Sequence, residues 1–112
     1  MKISYRQDGE ITIAEIEGHL DTMTSTDAEI SLMEAVDKGA GNLLIDFQKL
    51  EFISSAGLRT LLGLAKRQKK DGGKLHLAGM NDIVREVLVI SGFDTIIESS
   101  STVDEALDRM RD

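Results

Sequence analysis

Hydrophobic and polar residues alternate along the first part of the chain as they do in a β-hairpin. Ile3 and Tyr5 are separated by polar neighbours, and the pair Asp8-Gly9 is a turn signal. Beyond that turn the apolar positions continue as far as Ile16. We therefore predict that the chain opens with two antiparallel strands.

Four later stretches space their apolar residues as α-helices do. The first and the last begin with capping boxes, Thr26 with Glu29 and Thr102 with Glu105, so helices are predicted to start there. Two more helices are predicted from apolar stripes at Leu58, Leu61, Leu62 and Ala65 and at Ile83, Val84, Val87 and Leu88.

Short apolar runs between these helices predict further strands at residues 42–47, 74–78 and 95–98. Residues 48–51 are predicted to form a turn, and the polar residues 98–101 a connector. The resulting order is β-β-α-β-α-β-α-β-α. Strands that alternate with helices need right-handed crossovers, so the predicted fold class is α/β with a mixed, mostly parallel sheet and packed helices. The helices need not cover both faces of that sheet.

Composition and charge exclude several classes of protein. With 112 residues the chain is predicted to be a single domain, residues 1–112. The absence of cysteine excludes disulfide scaffolds and thiolate metal sites, and two histidines leave little for a metal site, so neither a metal nor a cofactor is expected. A net charge of −7 argues against nucleic acid as a partner. No apolar run is long enough to span a bilayer, so we expect a cytoplasmic protein without membrane insertion.

The segment from Ile53 to Arg59 contains the most informative chemistry. It places Ser54 and Ser55 where the predicted second helix begins, and a helix N-terminus favours a phosphate group through its free N–H groups. Ala56 and Gly57 are small and are expected to leave the backbone accessible. From spacing alone, either serine could instead be only an N-cap.

Three motifs along the chain resemble those of bacterial STAS-domain anti-sigma factor antagonists. Residues 44–59, LIDFQKLEFISSAGLR, resemble the signature of that family. Gly18-His19-Leu20-Asp21 is similar to its Gly-x-Leu-Asp turn, and Ile90-Ser91-Gly92-Phe93 is similar to the segment before its last strand. The motifs occur in the family's order and spacing, and together they extend over nearly the whole chain.

The resemblance implies a binding switch rather than an enzyme. In this family the unphosphorylated antagonist binds an anti-sigma factor that is also a serine kinase, which releases the sigma factor and regulates transcription. Phosphorylation of one serine ends the binding, and a metal-dependent serine phosphatase restores it. The family's acceptor maps onto Ser55. Ser54 replaces the usual aspartate and Ala56 the second hydroxyl residue, so Ser54 stays open as an alternative acceptor.

The resemblance also implies which residues surround the acceptor. Asp21 and Asp46 match acidic positions of the family, and Ser54, Ala56, Gly57 and Arg59 complete the predicted partner-binding segment. Outside that segment, Met23 and Met33 could be exposed apolar contacts for a partner, but their interpretation as core residues is favoured. His76 is predicted to face solvent or a polar pocket.

Two other functions are compatible with the same fold. The chain could be an accessory subunit of a transport complex, or it could sense a small molecule, with the serines acting only as caps. A hydrolase triad of Ser55, His19 and Asp21 is disfavoured because Ile53 occupies the first glycine position of a nucleophile elbow. The predicted assembly is a monomer or a weak homodimer.

Overall fold

The computed structural model describes residues 1–111, which contain six strands and four α-helices. The strands are β1 (Lys2–Asp8), β2 (Ile11–Leu20), β3 (Asn42–Asp46), β4 (Leu50–Ile53), β5 (Lys74–Ala78) and β6 (Glu98–Ser100). The helices are α1 (Ser25–Asp37), α2 (Ser55–Lys70), α3 (Asp82–Ile90) and α4 (Val103–Arg111), and a short 3-10 helix, Phe93–Thr95, precedes β6.

The strands form one mixed sheet in the order β1-β2-β3-β5-β6. The hairpin of β1 and β2 is antiparallel, and the remaining pairs are parallel, which confirms the predicted fold class. Strand β2 has two parallel partners in succession. Its first half pairs with β3, and after a register shift between Gly18 and His19 its last residues pair with β4.

Helices cover both faces of the sheet. Helices α1, α2 and α3 bury residues such as Leu32, Leu61 and Val84 against one face. The opposite face packs on α4, whose buried residues include Leu107. Because both faces are covered, every residue of β3 after Asn42 is buried, which explains its nearly continuous apolar run.

Strand β4 begins inside the segment that was predicted to be a turn. Gln48 and Lys49 do form a turn, but Leu50 starts a strand that reaches Ile53. The sequence prediction was wrong here because the two exposed residues between Leu50 and Ile53 hide the strand periodicity. The strand forms because the last residues of β2 extend beyond β3 and need a hydrogen-bonding partner.

Two other boundaries differ from their predictions. The last strand occupies Glu98–Ser100 rather than residues 95–98, because pairing with β5 outweighs the polar character of these residues. The capping box at Thr26 is also wrong. The N-cap of α1 is Thr24, two residues earlier, and its hydroxyl instead donates to the carbonyl of His19 at 2.9 Å. At the start of α4, the hydroxyl of Thr102 does accept from the N–H of Glu105 at 3.1 Å, as predicted.

None of the helices within residues 1–111 is long and apolar enough to cross a membrane.

Candidate functional site

The strand β4 leads directly into α2, and this junction lies beside the end of β2. The backbone N–H of Ser54 donates to the carbonyl of Leu20 at 2.9 Å. The two strands are parallel, so their carboxyl ends meet at the same edge of the sheet. As a result, the turn that contains Asp21 and the turn that contains Ser54 and Ser55 are neighbours in space.

The two adjacent serines occupy different environments. Ser54 is extended and partly buried, and its Oγ accepts from the N–H of Gly57 at 3.4 Å, so Ser54 is the N-cap of α2. Ser55 is the first residue of the helix and is exposed to solvent. Within residues 1–111 its hydroxyl makes no hydrogen bond. The capping role therefore falls to Ser54 and leaves the hydroxyl of Ser55 accessible.

Gly57 brings the first turn of α2 against the end of β2. A Cβ at this position would lie 2.6 Å from the carbonyl oxygen of Leu20 and 2.8 Å from Cγ1 of Ile53. Gly57 is buried, and its N–H is bound by Ser54. The prediction that Gly57 leaves the backbone accessible is therefore wrong. Its role is to permit close packing, whereas the neighbouring Ala56 is half-buried.

Asp21 shapes the turn next to the serines. Its Oδ1 accepts from the N–H groups of Met23 at 2.9 Å and Thr24 at 3.2 Å. These bonds connect the end of β2 to the start of α1. Asp21 directly follows Leu20, the residue whose carbonyl binds Ser54, so this carboxylate does lie in the neighbourhood of the predicted acceptor.

The structure places Asp46 elsewhere. Only 2% of Asp46 is exposed, and its Oδ1 accepts from the N–H of Gln48 at 2.9 Å. It lies on the α4 face of the sheet, together with Leu44, whereas α2 packs on the other face. Along β2 the partner of Asp46 is Glu15 and the partner of Ile53 is Leu20. Five strand residues separate these levels by roughly 16 Å, so the structure does not bring Asp46 and Ser55 together.

Two exposed apolar side chains flank this junction. Met23 is 87% exposed, so its interpretation as a core residue is wrong, whereas Met33 does pack against the core. Phe52 is 42% exposed, and its ring lies edge-on to that of His19 with the centroids 6.2 Å apart. The signal for Met23 was its position in a turn, outside any helical stripe. Phe52 gave no clear signal, because a phenylalanine next to a strand end is usually buried.

Polar side chains complete the surface. Arg59 is exposed one helical turn after Ser55, and no ion pair of the described residues includes it. The Nε2 of His19 lies 3.0 Å from a carboxylate oxygen of Glu51, not against Ser55. The geometry therefore gives no support to a triad of Ser55, His19 and Asp21. No cluster of three or more side chains suited to a metal ion occurs among residues 1–111.

A second polar cluster lies between β5, β6 and α4. His76 is 3% exposed, and its Nε2 lies 2.8 Å from Oγ of Ser100, while its Nδ1 lies 3.7 Å from a carboxylate oxygen of Glu98. Arg109 donates to Oγ of Ser100 at 3.0 Å. Burial lowers the pKa of His76, the charge of Arg109 lowers it further, and Glu98 opposes the change. Of the two predicted environments for His76, the structure shows the polar pocket.

Comparison with known proteins places this architecture in a family. Residues 2–106 match the STAS domain family. A candidate anti-sigma factor antagonist of Bordetella bronchiseptica, BtrV, is 34% identical over 106 residues, which cover 95% of this chain and 91% of that protein.

Solved structures share the fold. A candidate anti-sigma factor antagonist from Thermotoga maritima superposes with a TM-score of 0.94 at 21% identity, covering 98% of this chain and 95% of that one. The antagonist SpoIIAA of Bacillus in its unphosphorylated form gives a TM-score of 0.74 at 21% identity, covering 98% of each chain. Because the family match extends over most of its length and a curated relative is similar almost from end to end, this chain belongs to the STAS domain family.

Proposed function

We propose that this protein is an anti-sigma factor antagonist controlled by phosphorylation of Ser55. In the unphosphorylated form it binds an anti-sigma factor that is also a serine kinase, and the sigma factor is released. Phosphorylation of Ser55 by that kinase ends the binding. A metal-dependent serine phosphatase removes the phosphate and restores it. The family membership and the name of the Bordetella relative support this assignment.

The observation that carries the proposal is that Ser54 caps the helix while Ser55 is exposed. A kinase needs a hydroxyl that can enter its active site, and the exposed Ser55 meets this condition. Ser54 is partly buried and its oxygen is engaged by Gly57, so its phosphorylation would break the cap of α2. Ser55 is therefore the proposed acceptor, and Ser54 the residue that holds the acceptor in place.

We further propose that the partner binds across a surface formed by Asp21, Met23, Phe52, Ser55 and Arg59, called the switch surface below. Met23 and Phe52 offer exposed apolar area, which supplies the main favourable term in most protein interfaces. Ser55 is central to this set along the junction of β4 and α2. A phosphate adds about −1.5 to −2 charges at pH 7, and desolvating it inside such an interface is costly. A penalty of only about 1.4 kcal/mol already weakens binding tenfold.

The fold itself is expected to tolerate the phosphate. Ser55 lies at the N-terminal end of α2, where the helix dipole is positive and stabilises negative charge. The switch therefore acts on binding and not on folding. Circular dichroism of the phosphorylated and unphosphorylated protein should give superimposable spectra.

The first test locates the phosphate. The protein is incubated with ATP and lysate from its source organism, and intact-mass and fragment-ion spectra are compared with those of a sample without ATP. We expect a gain of one phosphate on Ser55, retained in Ser54→Ala and lost in Ser55→Ala. Phosphate on Ser54, or no phosphate although the serine kinases of the lysate are active, would overturn the proposal.

The second test measures the switch with the kinase that Ser55→Ala captures. Wild type and Ser55→Ala should bind this kinase with similar affinity in calorimetry, and Ser55→Asp at least about tenfold more weakly. Ser54→Asp serves as the charge-matched control, because it adds the same charge one residue before Ser55. Each variant must be shown to be folded by circular dichroism. Equal binding by wild type, Ser55→Ala and Ser55→Asp would refute a switch at this position.

A further inference from the structure

A cleft of about 940 Å³ lies at the opposite end of α2 from the switch surface. It is bounded by the C-terminal half of α2, the start of β5, residues 95–98 and the end of α4. Its volume falls within the range of small-molecule sites, about 300–1,000 Å³. We propose that this cleft binds a small anion with an aliphatic body, such as an alkyl carboxylate.

The walls of the cleft define the body of the ligand. Aliphatic side chains dominate its apolar part, and no Phe, Tyr or Trp occurs among its described lining residues. Ile96 is 58% exposed although it is a large apolar side chain at the rim. A flexible aliphatic chain would cover these side chains. A planar aromatic base would find only the imidazole of His76, which is 3% exposed and offers little surface for stacking. The apolar lining residues are Leu62, Ala65, Leu75, Ile96, Ile97 and Met110.

The charges at the cleft define the head group. Lys66, Lys69, Lys74 and Arg109 line it, against the single carboxylate of Glu98. None of these lysines takes part in an ion pair within residues 1–111. The chain as a whole carries a net charge of −7, so this concentration of unpaired cations is a local exception. Such a cleft attracts an anion, which the rest of the molecule repels.

One of these cations is already held in position. The guanidinium of Arg109 donates to the carbonyl of Ser99 at 2.8 Å and to Oγ of Ser100 at 3.0 Å. Two of its donors are used in this way, and the group still lines the cleft. A guanidinium has five donors in all, so others can bind a carboxylate without first losing side-chain freedom.

The wall also contains an unused hydrogen-bond acceptor. Gln68 is 1% exposed, and its Nε2 donates to the carbonyls of Ala40, Gly41 and Lys74 at 3.1, 3.3 and 3.1 Å. Its Oε1 is also buried but has no hydrogen-bond partner in the described part of the chain. A buried acceptor is normally satisfied, so a donor such as a water molecule is expected here.

This site is independent of the proposed phosphorylation. Ser55 begins α2 and Lys69 lies near its end, so roughly 20 Å of helix separates the acceptor from the cleft. A ligand can occupy the cleft in both states of Ser55. The failure of either proposal leaves the other intact.

The test is a titration of the full, ¹⁵N-labelled chain with octanoate, followed by amide chemical shifts. We expect saturable shifts concentrated at Gly72, Gly73, Leu75 and Ile97. Acetate has the charge without the aliphatic body, and 1-octanol has the body without the charge, so each should bind at least about tenfold more weakly. ATP carries more charge but an aromatic body, and it should also bind more weakly.

Variants with matched charge changes complete the test. Lys66→Gln/Lys69→Gln removes two charges from the rim and should weaken octanoate binding at least about tenfold. Lys2→Gln/Lys38→Gln removes two charges elsewhere and should change it less than about twofold. The absence of saturable shifts, shifts centred on Met23 or Ile83, acetate or ATP binding as tightly as octanoate, or equal effects of the two double variants would each overturn the proposal.

Discussion

The Oγ of Ser54 accepts a hydrogen bond from the N–H of Gly57 at 3.4 Å, and this bond caps the helix that presents Ser55. Gly57 in turn packs against the carbonyl of Leu20, so capping and packing act on the same turn. The hydroxyl of Ser55, the proposed acceptor, thus lies at a helix start that is fixed from two sides. Each of these contacts can be removed separately by a single substitution.

Ser54→Ala should destabilise the protein, because the cap of α2 is lost. The expected cost is about 1 kcal/mol in the free energy of unfolding. Ser55→Ala removes an exposed hydroxyl without a partner and should stay within about 0.5 kcal/mol of wild type. Urea unfolding monitored by circular dichroism measures both values. A larger loss for Ser55→Ala than for Ser54→Ala would contradict the assignment of the cap.

Gly57→Ala should be more harmful, although alanine is the better helix former. The added Cβ would approach the carbonyl oxygen of Leu20 to 2.6 Å, and this neighbour is backbone that cannot rotate away. We expect a loss of about 1–3 kcal/mol and slower phosphorylation of Ser55. Gly63→Ala on the same helix meets nothing within 4 Å and should instead stabilise by about 0.4–1 kcal/mol. If both variants unfold at the same urea concentration, the packing argument fails.

Sequence reasoning could recognise the family signature because that motif is contiguous. Residues 44–59 contain both the buried strand and the helix start, so no long-range contact was needed to recognise them. The sequence alone could not show that Ser54 is partly buried whereas Ser55 is exposed. The carbonyl of Leu20 binds the Ser54 amide across 34 positions of sequence, and no local pattern reports such a contact.

The same limit explains the errors at β4 and Asp46. Strand β4 exists because β2 is longer than β3, and strand length relative to a partner is a property of the assembled sheet. Asp46 was grouped with the proposed acceptor because it matches an acidic position of the family. Asp46 shares the α4 face of the sheet with Leu44, whereas the helix that begins at Ser55 packs on the other face. The burial of His76 follows from α4 as well, because that helix covers the face which alternation alone would leave to solvent.

Stability should fall in acid because of His76. Burial and Arg109 lower its pKa in the folded state below the usual value of 6.5. The unfolded chain therefore binds the proton more readily, and stability decreases as the pH falls below 6.5 towards the lowered pKa. The slope from one such group is at most about 1.4 kcal/mol per pH unit.

The measurement is urea unfolding at pH 7.5 and pH 5.5. Carboxylates also titrate in acid, so the quantity of interest is the difference between wild type and His76→Gln. Wild type should lose more stability than His76→Gln over this interval, and His19→Gln should keep the wild-type loss, because it leaves His76 in place. Equal losses in wild type and His76→Gln would show that the proton does not distinguish the folded and unfolded states at this site.

Arg59 should bind the phosphate once Ser55 is modified. Residues four apart on a helix are neighbours, and the ion pairs of the described residues leave Arg59 free. Such a pair contributes about 0.2–0.5 kcal/mol and favours the dianion. In ³¹P spectra of the phosphorylated protein, Arg59→Gln should therefore raise the second pKa of the phosphoserine. Arg85→Gln removes the same charge from α3 and should leave that pKa unchanged, and an equal effect of both variants would point to net charge alone.

Asp21 and Asp46 should respond differently to the same substitution. Asp21→Asn keeps an oxygen for the N–H groups of Met23 and Thr24, so the turn survives while a charge beside Ser55 is removed. We expect it to change the rate of Ser55 phosphorylation and the affinity for the kinase, with an effect that weakens in high salt. Asp46→Asn also keeps an oxygen for Gln48, but roughly 16 Å and the thickness of the sheet separate it from the acceptor. The rate of Ser55 phosphorylation in Asp46→Asn should therefore stay within about twofold of wild type. A loss of phosphorylation in folded Asp46→Asn, with Asp21→Asn unaffected, would show that the partner contacts the α4 face and not the switch surface.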